Sequence, residues 1–254
     1  LAEGFGETLS GIPVELQPGT DTDGDGLADT VETSTGTFVD AGDTGTDPND
    51  ADTDGDGVPD GAEVAAGTDP LDENSTPVPY TTEPAVGGTV TITKCETWVR
   101  GELVIPEMID GKRVTSISTG AFAGCTGLTH ITIPDSVEWI GAYAFVNCTS
   151  LTGVRIPDIV LSIGNAAFFN CAGLTSVTFG NHIYDIGNQA FGDCIALKNI
   201  IFLGNMPTTF GDGVFEGISN EARVYILPNA TGFDEKLGDL PVLVGSSLKD
   251  LTVY

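Results

Sequence analysis

Two stretches of this chain carry carboxylates at the same offsets. Asp21, Asp23, Asp25, Asp29 and Glu32 occupy positions 1, 3, 5, 9 and 12 of one stretch, with Gly26 at position 6. Asp52, Asp54, Asp56, Asp60 and Glu63 repeat the pattern around Gly57. Hard oxygen donors alternating inward around a sharp glycine turn are how a short chain supplies the about six to eight ligands that calcium takes. Leu27 and Val58, at position 7, would add a backbone carbonyl. Asp29 and Asp60 would ligate directly or through water, and Glu32 and Glu63 through both oxygens. No Lys or Arg precedes Lys94, so without a cation these carboxylates repel one another with no local relief. An acidic, weakly hydrophobic run usually stays a disordered linker. Two separate matches at five ligand positions plus glycine favour metal loops, with a segment that is loose in chelator and compact with metal because binding energy is its folding energy.

Each loop is followed by Gly-Thr-Asp-Pro, at Gly45 to Pro48 and Gly67 to Pro70. With it, the loops resemble thrombospondin type 3 repeats, found in many secreted bacterial proteins. The second unit, DTDGDGVPDGAEVAAGTDPLD, fits closely, whereas the first has an insertion from about Thr37 to Asp43. The resemblance implies calcium as cofactor and adds Asp47, Asp50, Asp69 and Asp72 as further ligands. A dockerin also duplicates a calcium loop, but the Gly-Thr-Asp-Pro break cuts off a long exit helix and the dockerin leucine spacing is missing.

The elements beyond are of a different kind. Ala121-Phe122, Ala144-Phe145, Ala167-Phe168 and Ala190-Phe191 recur every 23 residues, each followed by Cys125, Cys148, Cys171 or Cys194. A fixed period means a solenoid whose rungs bury their apolar side only by stacking on neighbours. After each Cys comes L-x-x-[IV]-x-[IF], starting at Leu128, Leu151, Leu174 and Leu197. Its period-two ending predicts the parallel strand of each rung, apolar side inward. A second apolar set, Val137 and Ile140, Leu161 and Ile163, Tyr184 and Ile186, is expected inward on the return leg, followed by Gly141, Gly164 and Gly187 at a tight corner that needs positive φ.

The full pattern L-x-x-I-x-I-P-x-x-V-x-x-I-G-x-x-A-F-x-x-C, seen in LTHITIPDSVEWIGAYAFVNC (Leu128 to Cys148), resembles the BspA-type leucine-rich repeats of bacterial surface proteins. GELVIPEMIDGKRVTSISTGAF looks like the first rung of that family and ARVYILPNATGF like the closing one. The last rung is degenerate: Val214-Phe215 arrives after 24 residues and Ile218 replaces the Cys. The chain therefore reads as a repeat protein, a calcium-loop thrombospondin type 3-like segment followed by a mostly β leucine-rich repeat solenoid with 23-residue rungs. The expected boundaries are a linker or tail at 1–20, two calcium repeats at 21–72, a Pro/Thr-rich spacer at 73–88, the solenoid at 89–235 and a cap or start of a next segment at 236–254.

Composition narrows the function. Of 37 acidic residues, 21 precede Lys94, and the net charge of −28 excludes general affinity for nucleic acid or anionic membrane. No apolar run is long enough to span a bilayer, so no direct membrane insertion is expected. The millimolar calcium that weak loops need is found outside cells, so an extracellular, secreted or cell-surface location is expected. A start at Leu1 and an end in LTVY suggest a fragment of a longer multidomain chain. The stacked Cys column reads as buried structural thiols rather than reactive ones, and Cys95 stands outside it. His130 and His182 sit in no catalytic motif, and no nucleophile elbow, phosphate loop or zinc Cys pair is present. The chain is expected not to be an enzyme. Its outward strand positions, Thr129, His130, Thr132, Thr152, Arg155, Thr175, Ser176, Thr178, Lys198, Asn199 and Ile201, form a small polar face for an unknown protein or glycan partner, or a merely soluble β surface. The expected function is adhesion-type binding from a calcium-stiffened stalk. An accessory region of a larger secreted enzyme, or a dockerin-like assembly module, is the alternative.

Overall fold

Glycines at positions 4 and 6 of both acidic loops, Gly24, Gly26, Gly55 and Gly57, take φ between 78° and 100°, which lets each loop wrap inward on itself. They belong to a computed structural model that describes residues 19–75 and 77–245; the expectations for residues 1–18 and 246–254 lie outside the described residues. The chain divides into two compact units, 1–77 and 78–254.

In the first unit the second loop leads into α1 (Asp60–Ala66), which starts after Pro59 and stops at Gly67 in the left-handed conformation. Pro70 follows shortly, and no long exit helix forms. After the first loop the chain makes a turn instead of a helix. Asp40 and Asp43 bridge, and Ser34 N–H and Gly36 N–H donate back to the carbonyls of Thr46 and Gly45 at 2.8 and 3.0 Å. The insertion foreseen at about Thr37 to Asp43 is this turn.

The second unit contains β1 (Tyr80–Ala85), β2 (Thr89–Cys95), β3 (Arg100–Val104), β4 (Met108–Ile109), β5 (Lys112–Ile117), β6 (Gly127–Thr132), β7 (Trp139–Ile140), β8 (Gly153–Ile156), β9 (Ser162–Ile163), β10 (Ser176–Phe179), β11 (Asp185–Ile186), β12 (Asn199–Phe202), β13 (Thr209–Phe210), β14 (Arg223–Ile226), β15 (Lys236–Leu237) and β16 (Leu240–Val244). Two sheets result. One runs β3-β6-β8-β10-β12-β14-β16 in parallel, with β15 added antiparallel; the other runs β2-β5-β7-β9-β11-β13 in parallel, with β1 antiparallel at its edge. Register is in step from rung to rung: Val154, Val177 and Ile200 are aligned, as are Ile140, Ile163 and Ile186. β1 is a departure from the sequence, because Tyr80–Ala85 was expected in a spacer reaching residue 88. Tyr80, half-buried against the core, and backbone pairing with β2 make it the cap of the first rung instead.

Between the sheets lies one apolar core. The rings of Phe122, Phe145, Phe168 and Phe191 stack at centroid spacings of 4.8, 4.8 and 4.9 Å, and Phe179 stacks on Phe202 at 4.5 Å. Each Phe N–H donates across the rung boundary, Phe145 to the Ala167 carbonyl and Phe168 to the Ala190 carbonyl. The cysteines are all free and buried. Cys148, Cys171 and Cys194 donate their thiols to the Phe122, Phe145 and Phe168 carbonyls at 3.1 Å, so each satisfies a backbone group of the rung before it. Cys95 joins them, donating with Cys125 to the Glu96 carbonyl at 3.7 Å each, and the adjacent Cys125 thiol and burial push its own thiol up.

Two readings of the return leg and one of the outward strand face are corrected. The column that points inward is Val137, Val160 and Ile183, at a strict 23-residue step, while Leu161 and Tyr184 are exposed. The glycines after Ile140, Ile163 and Ile186 are not there for positive φ. A Cβ on Gly141 would lie 2.6 Å from the Ser118 carbonyl carbon, and one on Gly187 2.6 Å from the Asn165 nitrogen, so glycine is required by close approach of the previous rung. Positive φ falls two residues later, at Tyr143, Ala166 and Gln189, with Gly120 and Gly213 in the same column at either end. Ile201, assigned to the outward face, is buried despite its outward register, opposite Tyr225 of the next strand.

Candidate metal centres

In each acidic loop the first three carboxylates use one oxygen to hold the loop's own backbone. Asp21 Oδ1 accepts from Gly24 N–H, Asp23 Oδ1 from Asp25 N–H and Asp25 Oδ1 from Leu27 N–H, at 2.8, 3.2 and 2.7 Å. Asp52, Asp54 and Asp56 do the same with Gly55, Asp56 and Val58 N–H at 3.1, 3.1 and 2.7 Å. Asp52 also uses its second oxygen, which accepts from Gly57 N–H at 2.9 Å, whereas the second oxygens of Asp23, Asp54 and Asp56 are left without a partner. Asp21, Asp23 and Asp25 each offer an oxygen within 4.8 Å of one another, as do Asp52, Asp54 and Asp56. Leu27 and Val58, expected to supply carbonyls, bury their side chains under the turns.

Glu32 and Glu63 are the informative residues. Glu63 is 0% exposed and neither carboxylate oxygen has a hydrogen-bond partner; Glu32 is 4% exposed with Oε2 unpartnered. Asp23 Oδ2, Asp54 Oδ2 and Asp56 Oδ2 are likewise buried and unpartnered. Burying a carboxylate without a donor is costly. Burial, followed by repulsion from Asp54 and Asp56, pushes Glu63 up to about 8. Burial, followed by Asp25 and Asp23, pushes Glu32 up to about 7. Burial also raises Asp25, Asp54 and Asp60, the last to about 6. Orphaned hard oxygens, and no sulfur or nitrogen donor among them, fit a hard divalent cation of the calcium kind.

Position 9 differs from the expected role. Asp29 accepts Thr22 N–H at 2.9 Å and its hydroxyl at 2.8 Å, and Asp60 accepts Thr53 N–H at 2.9 Å and its hydroxyl at 2.6 Å. Both carboxylates thus clamp the threonine at position 2 of their own loop. Asp29 joins no carboxylate cluster among the described residues, while Asp60 is grouped with Asp25 and Glu32 of the other loop. Asp47, Asp69 and Asp72 cap turns through the N–H groups of Asn49, Leu71 and Asn74 and join no carboxylate cluster among the described residues. Contacts from four residues were missed in the sequence. Thr46 of the first Gly-Thr-Asp-Pro donates to Glu32 Oε1 at 3.4 Å, Thr22 and Thr53 hold position 9, and Gly61 N–H reaches Asp25 Oδ2 at 2.7 Å. The shared Asp-Thr-Asp opening was a readable signal for the threonine clamp; nothing local marks the Gly61 contact, 36 residues away.

On the solenoid, the threonines of the outward face are partly spent on the fold. Thr152 and Thr175 donate their hydroxyls to the Thr129 and Thr152 carbonyls at 3.2 and 2.8 Å. His130 lies exposed between the Thr129 and Thr152 hydroxyls with Glu102 Oε1 4.0 Å from its Nδ1, and His182 Nδ1, also at the surface, contacts the Asp158 carbonyl. Arg155 pairs loosely with Asp135 and Asp158, at 3.5 and 3.4 Å, at one side of an open groove lined by Val104, Pro106, Ile131 and Ile133.

Comparison with known proteins follows the same division. The BspA type Leucine rich repeat region matches residues 106–236 in six copies. The chain belongs to the BspA-type leucine-rich repeat family. The Bacterial TSP3 repeat matches residues 21–37 and 52–73, so the first match ends where the inserted turn begins. A Leucine Rich Repeat protein of T. pallidum is 30% identical with a TM-score of 0.54, covering 60% of this chain and 70% of that one. A leucine rich cell surface protein of Faecalibacterium prausnitzii is 26% identical with a TM-score of 0.47, covering 60% of this chain and 44% of the other. No curated protein matches the chain. No described helix of this BspA-type chain is long and apolar enough to cross a membrane.

Proposed function

We propose that this BspA-type protein is a non-enzymatic, extracellular or cell-surface binding protein whose acidic repeats take calcium and whose solenoid meets a protein or glycan partner. The observation that carries the calcium reading is the buried, wholly unpartnered carboxylate of Glu63 beside Asp54 and Asp56. Glu32 beside Asp23 and Asp25 repeats it. Asp21, Asp23, Asp25 and Glu32 would hold one ion, with the Leu27 carbonyl; Asp52, Asp54, Asp56 and Glu63, with the Val58 carbonyl, the other. The ion supplies the positive charge that neither loop contains, and so orders the segment. Weak loops of this kind fill where calcium is millimolar, which supports a location outside the cell. For the solenoid, the parallel array of outward strand positions supports recognition over catalysis, and the buried thiols lack the exposed setting that nucleophilic work needs. Calorimetric titration of calcium into chelator-treated protein, with Glu32→Gln and Glu63→Gln alongside, tests the metal reading. Two sites are expected in the parent, each variant losing the one its glutamate serves, and absence of calcium heat in the parent sinks it.

A further inference from the structure

On three successive return legs the solenoid turns large apolar side chains outward. Trp139, Leu161 and Tyr184 are 52%, 40% and 58% exposed, with Ile159 beside them at 38%, although their inward neighbours Val160, Ile163, Ile183 and Ile186 are buried. Register keeps them together: Trp139 is aligned with Ser162 and through it with Asp185, and Tyr184 N–H donates to the Leu161 carbonyl as Leu161 N–H donates to the Glu138 carbonyl. The stripe is short, because Ser116 and Thr209 stand in the same register at its two ends. Its polar groups are of one kind. Residues 134–143, 157–166 and 180–189 contain no Lys or Arg. Glu138 and Asp185 lie within the stripe, and Ser162 donates its hydroxyl to Asp185 Oδ2 at 2.9 Å.

Size and charge select the occupant. A stable protein interface takes about 800 Å² and about 20–30 residues on each side, far more than four apolar side chains on three rungs. Carboxylates without cations repel an anionic ligand, whether nucleic acid, acidic peptide or charged sugar. A neutral pyranose suits both groups: its C–H face stacks on the negative face of an aromatic ring, and its hydroxyls donate to carboxylates. Spacing narrows the class further. The rung step is 4.8 Å, as the Phe122, Phe145 and Phe168 rings show, and Trp139 and Tyr184 are two steps apart. In an extended β-1,4-linked chain each sugar advances by a comparable step and turns over relative to the last, so alternate sugars present the same face. On the partner-binding reading above, we propose that this return-leg stripe, rather than the threonine face, is a binding site for a neutral, extended β-1,4-linked glycan. Trp139 and Tyr184 stack on alternate sugars, and Glu138 and Asp185 accept from their hydroxyls.

The test is calorimetric titration of the whole chain with cellohexaose and mannohexaose, with maltohexaose and heparin as α-linked and anionic controls. The parent is expected to bind at least one of the β-1,4 hexasaccharides and neither control. Its affinity should rise sharply from the disaccharide to the trisaccharide of that series, since only the longer ligand reaches both rings. Trp139→Ala and Tyr184→Ala should each weaken the hexasaccharide at least about fivefold and abolish the gain from the third sugar. Both side chains are largely exposed, so the thermal midpoints should stay near the parent's and separate lost binding from lost folding. Thr132→Ala, on the strand face, should leave binding unchanged. The site lies within the solenoid, so calcium and chelator should give the same affinity, and the result stands apart from the metal centres. Failure of the parent to bind either β-1,4 hexasaccharide overturns the proposal and leaves a protein partner for the solenoid. Binding that survives both aromatic variants but is lost in Thr132→Ala overturns the stripe while keeping a glycan partner.

Discussion

Glu32 and Glu63 show how far a side chain can be from its ordinary state when it is buried and a carboxylate oxygen finds no partner in the chain. Held at about 7 and about 8, against 4.5 for a free glutamate, they keep a proton in the metal-free fold well into the neutral range. Between pH 4.5 and these values the folded, metal-free segment binds more protons than the unfolded chain, so its stability falls as pH rises through that window. The metal-free segment is therefore expected to unfold more readily at about pH 8 than at about pH 5, as followed by chemical denaturation in chelator. Calcium reverses the trend, because it takes the deprotonated form. At about pH 7 its binding should release protons, giving heats that vary with the ionisation enthalpy of the buffer, and apparent affinity should rise up to about pH 8. Heats independent of the buffer would contradict this. The convergence of Asp21, Asp23 and Asp25, and of Asp52, Asp54 and Asp56, was legible because alternate positions around a glycine turn bring them together locally. Asp29 and Asp60 were not, since a carboxylate at position 9 can serve a metal or, as here, the Thr22 or Thr53 hydroxyl, and spacing does not choose.

Each rung of the solenoid is held by two neighbouring positions with opposite backbone demands. Gly187 has no room for a methyl against Asn165 of the previous rung, whereas Gln189, two residues on and exposed, is held at φ 52°. Gly187→Ala should lower the stability of the solenoid by about 1–3 kcal/mol through overpacking. Gln189→Gly should raise it by about 0.5–1 kcal/mol by relieving left-handed strain, net of glycine's entropy. Thermal or denaturant unfolding of the two variants checks the opposite signs. Phe168, stacked between Phe145 and Phe191, should cost about 3–5 kcal/mol when changed to Ala, because the rungs on both sides prevent the cavity from collapsing. The inward strand was readable from its period-two pattern. The return leg was misread because Leu161 and Tyr184 are apolar neighbours of the true inward residues Val160 and Ile183, and only strict adherence to the 23-residue step separates them. The glycine column was readable as a constraint but not as to its cause, since close approach and positive φ leave the same residue in the sequence.

The chain has two units that differ in what they bury, the first carboxylates without partners and the second an apolar core. Unfolding is expected in two transitions. Calcium at about a hundred times its dissociation constant should stabilise the first unit by about 2.7 kcal/mol per ion and leave the solenoid's midpoint where chelator leaves it. A shift of both together, seen by calorimetry with and without chelator, would contradict that. The boundary between the units was placed too late in the sequence because Pro84 and the Thr-rich run of β1 look like spacer, and only pairing with β2 reveals them as a cap. The rung-to-rung bonds carry a last consequence. Phe145 N–H reaches the Ala167 carbonyl and Phe168 N–H the Ala190 carbonyl in the same way, while the thiols of Cys148, Cys171 and Cys194 repeat one another at the same distance. A segment from one Phe to the residue before the next can thus be duplicated or lost in frame, and the cut ends meet partners identical to those removed. The gene can lengthen or shorten this surface in whole steps while the cross-section, and the caps that close it, stay the same.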